Sequence, residues 1–333
     1  MKKLLLLLNL SLSFFGFSQQ QEPIKLNSDI YDARSKTKSL TVIDLRENKS
    51  LGVFPFGSKK EMKELVVLPN LSNGIETWFK KENEQTGKRE LVLVIDNLEI
   101  TGDFTNEEQT GETKLKAAIF LKNDDGYHFL NKIDNKLTEK GSDISKNLGK
   151  KVPLLLSQII LPSYNMKEWE ETLTFEQLKD YENILKKELA LTNTSTFKDG
   201  VYTSSKSFFS QTPESGNFVF EKNDKGMMVK AIAYTDGKKT KIPAYKMYAF
   251  VENGKAYKIT YAGYEEIKKD EKGFYIFSNR GYLFPPETSG VGYQFGLIGG
   301  IAEAIAANAK EKKAQKKDKE NIYLDMLTGE YIF

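Results

Sequence analysis

The sequence predicts an α+β fold: an N-terminal α/β sandwich, then a mainly antiparallel β domain, then a C-terminal small-residue helix. Three observations carry this. Leu91 to Ile95 (LVLVI) is apolar on both faces, as a central strand requires. Leu71, Ile75, Trp78 and Phe79, and again Ile144, Leu148, Val152, Leu155 and Ile159, recur at helical spacing. From Thr196 to Phe284, short strands rich in Tyr, Phe, Val and Ile alternate with turn dipeptides roughly every ten residues.

Met1 to Gln20 read MKKLLLLLNLSLSFFGFSQQ. Lys2 and Lys3 precede an apolar run from Leu4 to Phe17, and Gly16 and Ser18 are small residues before a cut at Gln19. This layout predicts a secretory signal peptide over 1–18. The run is shorter than the roughly 20 residues that span a bilayer. With no cysteine to take a lipid, the protein is expected to be exported and not lipid-anchored: periplasmic, outer-membrane associated or secreted. The leader resembles those of Gram-negative envelope and secreted proteins.

Composition excludes several chemistries. The 333 residues contain no Cys and one His, His128. Disulfides, thiol nucleophiles, thiolate-held metals and multi-His sites are therefore absent. Net charge is +3, and four of the 49 basic residues are arginine (Arg34, Arg46, Arg89, Arg280). No global field favours nucleic acid, and the side chain best suited to phosphate and guanine is scarce.

Residues 19–39 are polar and read as a flexible leader. Leu40 to Leu45 and Leu51 to Phe56 read as strands around the polar turn Glu47 to Ser50. Leu65 to Leu68 is a short apolar piece stopped by Pro69, and Ser72 to Lys81 is an amphipathic helix closed by Thr86-Gly87. Leu91 to Ile95 and Leu115 to Leu121 are strands, and Asn123 to Gly126 turns into a strand over Tyr127 to Ile133. Pro153 sits inside the second helical stripe, so a kink or two abutting helices is expected there.

Over 40–161, this order is carried by Pro69 to Lys81, Glu90 to Ile100, Lys114 to Asn123 and Ser142 to Leu161. It resembles envelope lipoprotein domains of the TolB N-terminal and ABC-transport auxiliary type. Those domains carry an N-terminal Cys anchor that is absent here.

Residues 162–195 read as a helical connector: Thr174 and Gln177 form a capping-box pattern, and Phe175, Leu178, Tyr181, Leu185 and Leu189 form a stripe. The boundary is placed at Thr192 to Thr196. In 196–286 the turn dipeptides are Asp199-Gly200, Lys225-Gly226, Asp236-Gly237, Asn253-Gly254, Lys272-Gly273 and Arg280-Gly281, and Asn253-Gly254 is the strongest hairpin signal. A rolled or sandwiched antiparallel sheet follows. Asp199 to Tyr202, Phe208-Phe209 and Pro213 resemble an opening seen in uncharacterised secreted proteins of Gram-negative bacteria, which implies export and no activity. Residues 287–320 read as a Gly/Ala-rich helix with a charged tail, and 321–333 as a hairpin around Thr328-Gly329.

Catalytic motifs fail on their context. Ser35 to Lys38 matches S-x-x-K without its partner motifs. Gly52 to Lys59 (GVFPFGSK) inverts the Lys-Ser order of a P-loop and reads as a strand and turn. Gly290, Gly292 and Gly296 lack the feeding strand of a dinucleotide fingerprint. Asn123 to Gly126 lacks calcium-loop spacing. His128 has no nucleophilic elbow to serve, and reads as a strand histidine facing solvent or packed on an aromatic ring. No cofactor, metal or nucleotide is expected.

The expectation is therefore a non-enzymatic secreted or envelope protein with a partner-binding or assembly role. The alternative is a secreted hydrolase that uses paired carboxylates on polysaccharide, with Glu168, Glu170 and Glu171 flanking Trp169, and Trp169 or exposed tyrosines as the sugar platform. An outer-membrane barrel is excluded by the predicted helices. The candidate interaction residues are Gly292, Gly296, Gly300 and Ala304, a glycine-zipper ridge, with Leu297 and Ile301 beside it. An envelope protein or a membrane surface is the partner expected at 290–320. The competing reading packs this segment on the protein's own sheet.

Overall fold

Both helices and strands build this α+β chain, and most strand pairs are antiparallel. The computed structural model describes residues 20–194, 196–224, 226–284 and 319–333. The signal peptide expected over 1–18 and the expected interaction residues Gly292, Gly296, Leu297, Gly300, Ile301 and Ala304 lie outside these. The chain divides into two units between Phe175 and Glu176.

In the first unit, β2 (Thr37–Asp44), β5 (Arg89–Asp103), β6 (Gln109–Asn123), β7 (Gly126–Gly141) and β8 (Thr172–Leu173) form one sheet in the order β2-β5-β6-β7-β8. β2 runs parallel to β5; the other pairs are antiparallel. The LVLVI run is indeed interior and buried on both faces. Leu91, Leu93 and Ile95 join the main core, while Val92 lies in register with Phe120, which in turn lies in register with Phe129. A second sheet of β1 (Gln21–Pro23), β4 (Glu61–Val66) and β3 (Val53–Phe56) takes the order β1-β4-β3. The strands on either side of the Glu47 to Ser50 turn thus enter different sheets rather than pairing with each other.

Helix α1 (Leu71–Glu82) starts at Asn70, whose side chain accepts from the Asn73 N–H. It buries Leu71, Ile75, Trp78 and Phe79, the stripe read from the sequence. Its Glu76 accepts from the Val42 backbone N–H at 2.8 Å, closing a donor on the outer edge of β2. Helix α2 (Ser145–Ser163) runs as one helix through Pro153, so of the two expected forms, a kink or two abutting helices, the second does not occur. Leu148, Val152, Leu155 and Ile159 are all fully buried. That burial, on the order of 2 kcal/mol per side chain, outweighs one lost helical hydrogen bond. Thr113 of β6 also donates to the Leu148 carbonyl at 2.9 Å.

The flexible leader expected over 19–39 is ordered from residue 20. β1 pairs with β4, Ile30 is buried, and the Asn83 side chain accepts from the Asp32 N–H and donates to the Ile30 carbonyl. These are backbone-directed contacts, which leave no periodicity in the sequence.

The second unit begins with a 3-10 turn (Glu176–Asp180), α3 (Tyr181–Glu188) and α4 (Ala190–Asn193). Leu178, Tyr181, Leu185 and Leu189 are buried as the stripe predicted, whereas Phe175, which ends the first unit, is exposed. Residues 176–193 belong with the sheet after them, not to a separate connector: Lys269 Nζ donates to the Leu191 carbonyl at 3.0 Å.

Seven antiparallel strands follow in the order β18-β17-β16-β15-β14-β13-β9: β9 (Gly200–Tyr202), β13 (Ala249–Glu252), β14 (Lys255–Thr260), β15 (Gly263–Asp270), β16 (Gly273–Ser278), β17 (Glu320–Leu324) and β18 (Tyr331–Ile332). The hairpin at Asn253-Gly254 has positive φ at both residues, as a tight hairpin turn demands. Asp199 accepts from both of their N–H groups. Arg280-Gly281, read as a turn, instead opens the short helix α6 (Arg280–Leu283), because Asn279 accepts from the Gly281 and Tyr282 N–H groups. Helix α5 (Ser205–Phe209) follows β9.

A flat sheet would separate β18 from β13 by about 24 Å at ~4.8 Å per strand. Yet Tyr248, beside β13, reaches the carbonyl of Gly329, just before β18, at 3.4 Å. The seven-stranded sheet is therefore rolled. A three-stranded sheet, β10 (Asn217–Lys222), β11 (Met228–Thr235) and β12 (Lys238–Pro243), covers one face with Phe218, Phe220, Ala231 and Ile242 against Val201, Phe250 and Ile259.

Candidate functional site

In the first unit, a cleft of about 500 Å³ lies where β4 hands over to α1. Its lining combines Asp44, Arg46, Lys49, Ser50 and Glu64 with the aliphatic run Leu65 to Leu68 and the polar residues Gln21, Asn70 and Ser72. Arg46 is buried and grips Asp44 with two hydrogen bonds at 3.0 Å, while also donating to the Leu98 and Lys49 carbonyls. Burial works to raise the Asp44 pKa, but the Arg46 hydrogen bond and charge, with Lys49, outweigh it and hold the carboxyl below its ordinary value. Ser50 donates to Glu64 at 2.8 Å. Asp44 therefore stays ionised and Glu64 accepts from a fixed hydroxyl, an arrangement that builds the loop. General acid catalysis would instead need a carboxyl kept protonated.

His128 is neither solvent-facing nor simply stacked. It is buried on β7, with Nδ1 3.0 Å from the Trp169 carbonyl and Nε2 3.0 Å from Asp125. Both partners are acceptors, so both bonds are made at once only by the doubly protonated ring. Burial works to lower its pKa; the Asp125 and Trp169 hydrogen bonds outweigh that and raise it. Trp169, the expected sugar platform, is 7% exposed and packs edge-on against Phe129 at 5.2 Å. Glu168 lies 3.7 Å from Arg89. The sequence reading missed this clasp because Asp125, His128 and Trp169 carry no spacing motif; the lone histidine was the available signal.

The rolled sheet holds a buried lysine. Lys258 on β14 is 3% exposed, donates to the Ile259 carbonyl at 3.1 Å, and lies between the rings of Tyr248 (4.1 Å) and Tyr331 (5.8 Å). Glu265 is its cross-strand neighbour, but that carboxylate pairs with Lys319 at 2.8 Å. Burial alone pushes the amine down to about 7. The Tyr331 hydroxyl is buried without a hydrogen-bond partner.

The outer face of β10–β12 is different in kind. Alternation turns Phe218 and Phe220 inward, and leaves Val219 (53% exposed) and Tyr234 (45%) outside, with Tyr245 (46%) just beyond β12. Across the ladder, Tyr234 faces Lys239, and Ile232 faces Lys241. Lys230 is paired with Glu221 at 2.7 Å. Lys238, Lys239 and Lys241 are exposed on β12, which ends its sheet. The sequence displayed KKTKIP, but its position on a free edge comes from the pairing.

No known family matches this chain, and no curated protein or solved structure matches it.

Proposed function

We propose that this is an exported protein of the cell envelope or its exterior, with a partner-binding or assembly role rather than catalysis. In this reading an N-terminal α/β sandwich and an antiparallel β domain form its body, and a small-residue helix around Gly292, Gly296, Gly300 and Ala304 adds a contact ridge. The N-terminal leader pattern supports export.

The outer face of β10–β12 carries the binding role. Half-exposed Val219 and Tyr234 share this face with Lys239 and Lys241, a combination of apolar anchors and one sign of charge that suits a recognition surface. The titratable groups of the first unit support it too, since Asp44 and His128 are held by fixed internal partners.

The test is recovery of the mature protein with its own envelope fraction, for the wild type, a Val219→Asp/Tyr234→Asp variant, and a Gly296→Leu/Gly300→Leu variant. The face variant should fold normally and lose most of that recovery. Wild-type recovery in both folded variants would overturn the binding role.

A further inference from the structure

We propose that β12 accepts an acidic, extended peptide as a fourth strand of the β10–β12 sheet; this rests on reading that sheet's outer face as a binding surface. Among the described residues β12 is the terminal strand, so one row of its backbone N–H and C=O groups faces away from β11. Residues Lys238 to Lys241 are all exposed along it.

Lysine on a free edge is also a common way of keeping strands apart. Two features favour selective docking here. First, the lysines lie on both sides of the strand: Lys239 and Lys241 share the outer face with Tyr234 and Ile232, and Lys238 lies on the opposite face. A glutamate or aspartate on either face of an incoming strand would sit directly opposite a lysine, about 5 Å away. A second copy of this edge would meet like charges and be refused. Second, Tyr234 stays exposed on the lysine-bearing outer face, one strand in from the edge and opposite Lys239. A purely protective edge gains nothing from an exposed ring there, whereas an added strand about two strand spacings away would give that long side chain an apolar partner. Backbone pairing would supply affinity, and the charges would supply selection.

The probe is a short synthetic peptide alternating glutamate and valine, followed by fluorescence anisotropy and by amide hydrogen exchange of the full mature chain. The expected result is salt-sensitive binding, with slowed exchange of the β12 amides. A proline placed mid-peptide should weaken binding at least about tenfold, since it removes a ladder donor and bends the strand. Lys238→Glu/Lys239→Glu/Lys241→Glu should also weaken it at least about tenfold and, if folded, should take up a lysine–valine peptide instead.

Equal binding of the proline peptide, or unchanged β12 exchange, would overturn strand addition. Failure of the charge-swapped pair would overturn the acidic preference. Anionic phosphatidylglycerol vesicles bound in place of the peptide would assign the lysines to a membrane. Loss of envelope recovery in the Val219/Tyr234 variant without peptide binding would sink this inference alone and leave the binding role standing.

Discussion

The Lys258 amine sits 4.1 Å from the ring centroid of Tyr248, and the same tyrosine reaches the Gly329 carbonyl across the rolled sheet. One aromatic side chain thus lies against a buried cation and ties the C-terminal hairpin to β13. Gly329 is suited to that contact. Its φ is +74°, and a Cβ there would lie 2.5 Å from the Tyr248 ring. The π face of Tyr248 gives back part of what the amine loses on leaving water.

Lys258 makes stability depend on pH in a definite direction. Its folded pKa is depressed to about 7, so between there and about 10 the unfolded chain binds more protons. Stability therefore rises with pH across that window, by about 2 kcal/mol between pH 7 and 9 from this group. Urea unfolding at both pH values, compared with Lys258→Met, measures it. The variant should lose this rise and be the more stable protein at pH 7. A rise of the same size in the variant would show that the amine is not the source.

His128 acts in the opposite sense. Its folded pKa is raised, so its contribution is fully present below about pH 6.5 and fades as pH climbs through the folded value. In a Lys258→Met background, which removes the opposing lysine slope, the melting temperature should fall between pH 6 and 8, and that fall should vanish when His128→Phe is added. Fluorescence of Trp169, read in a Trp78→Phe background, should change over the same range as the ring releases its carbonyl. A pH-independent Trp169 signal would count against the clasp.

Asn83 holds the N-terminal segment. It accepts from the Asp32 N–H and donates to the Ile30 and Phe79 carbonyls, all in a buried setting. Asn83→Ala should cost about 2–3 kcal/mol, because it strands buried backbone groups. Limited proteolysis should then cut within 28–36 well before the rest of the chain. Unchanged cleavage would mean that β1 and Ile30 hold the segment without it.

Local pattern was enough for much of the fold. The α1 stripe, the two-faced LVLVI strand, the hairpins at Asn123 to Gly126 and Asn253-Gly254, and the C-terminal hairpin all follow from short-range periodicity and turn chemistry. These depend on a few neighbouring residues, so the chain displays them directly. That one helix rather than two runs through Pro153 was not legible locally, since the burial of Val152, Leu155 and Ile159 comes from partners distant in sequence.

By itself the sequence determined the α+β class, the apolar faces of its elements, and the chemistries that a chain without cysteine and with one histidine lacks. Tertiary structure alone decided which polar residues meet. Asp125 with His128 and the Trp169 carbonyl, Arg46 with Asp44 and the Leu98 carbonyl, and Lys258 between Tyr248 and Tyr331 are joined across up to 73 positions of chain. Pairwise contacts of that kind leave no period in the sequence, because each needs one residue at one place rather than a repeating face. The lysine edge of β12 shares this origin: its residues are plain in the sequence, but only the strand order makes β12, among the described residues, the last strand of its sheet.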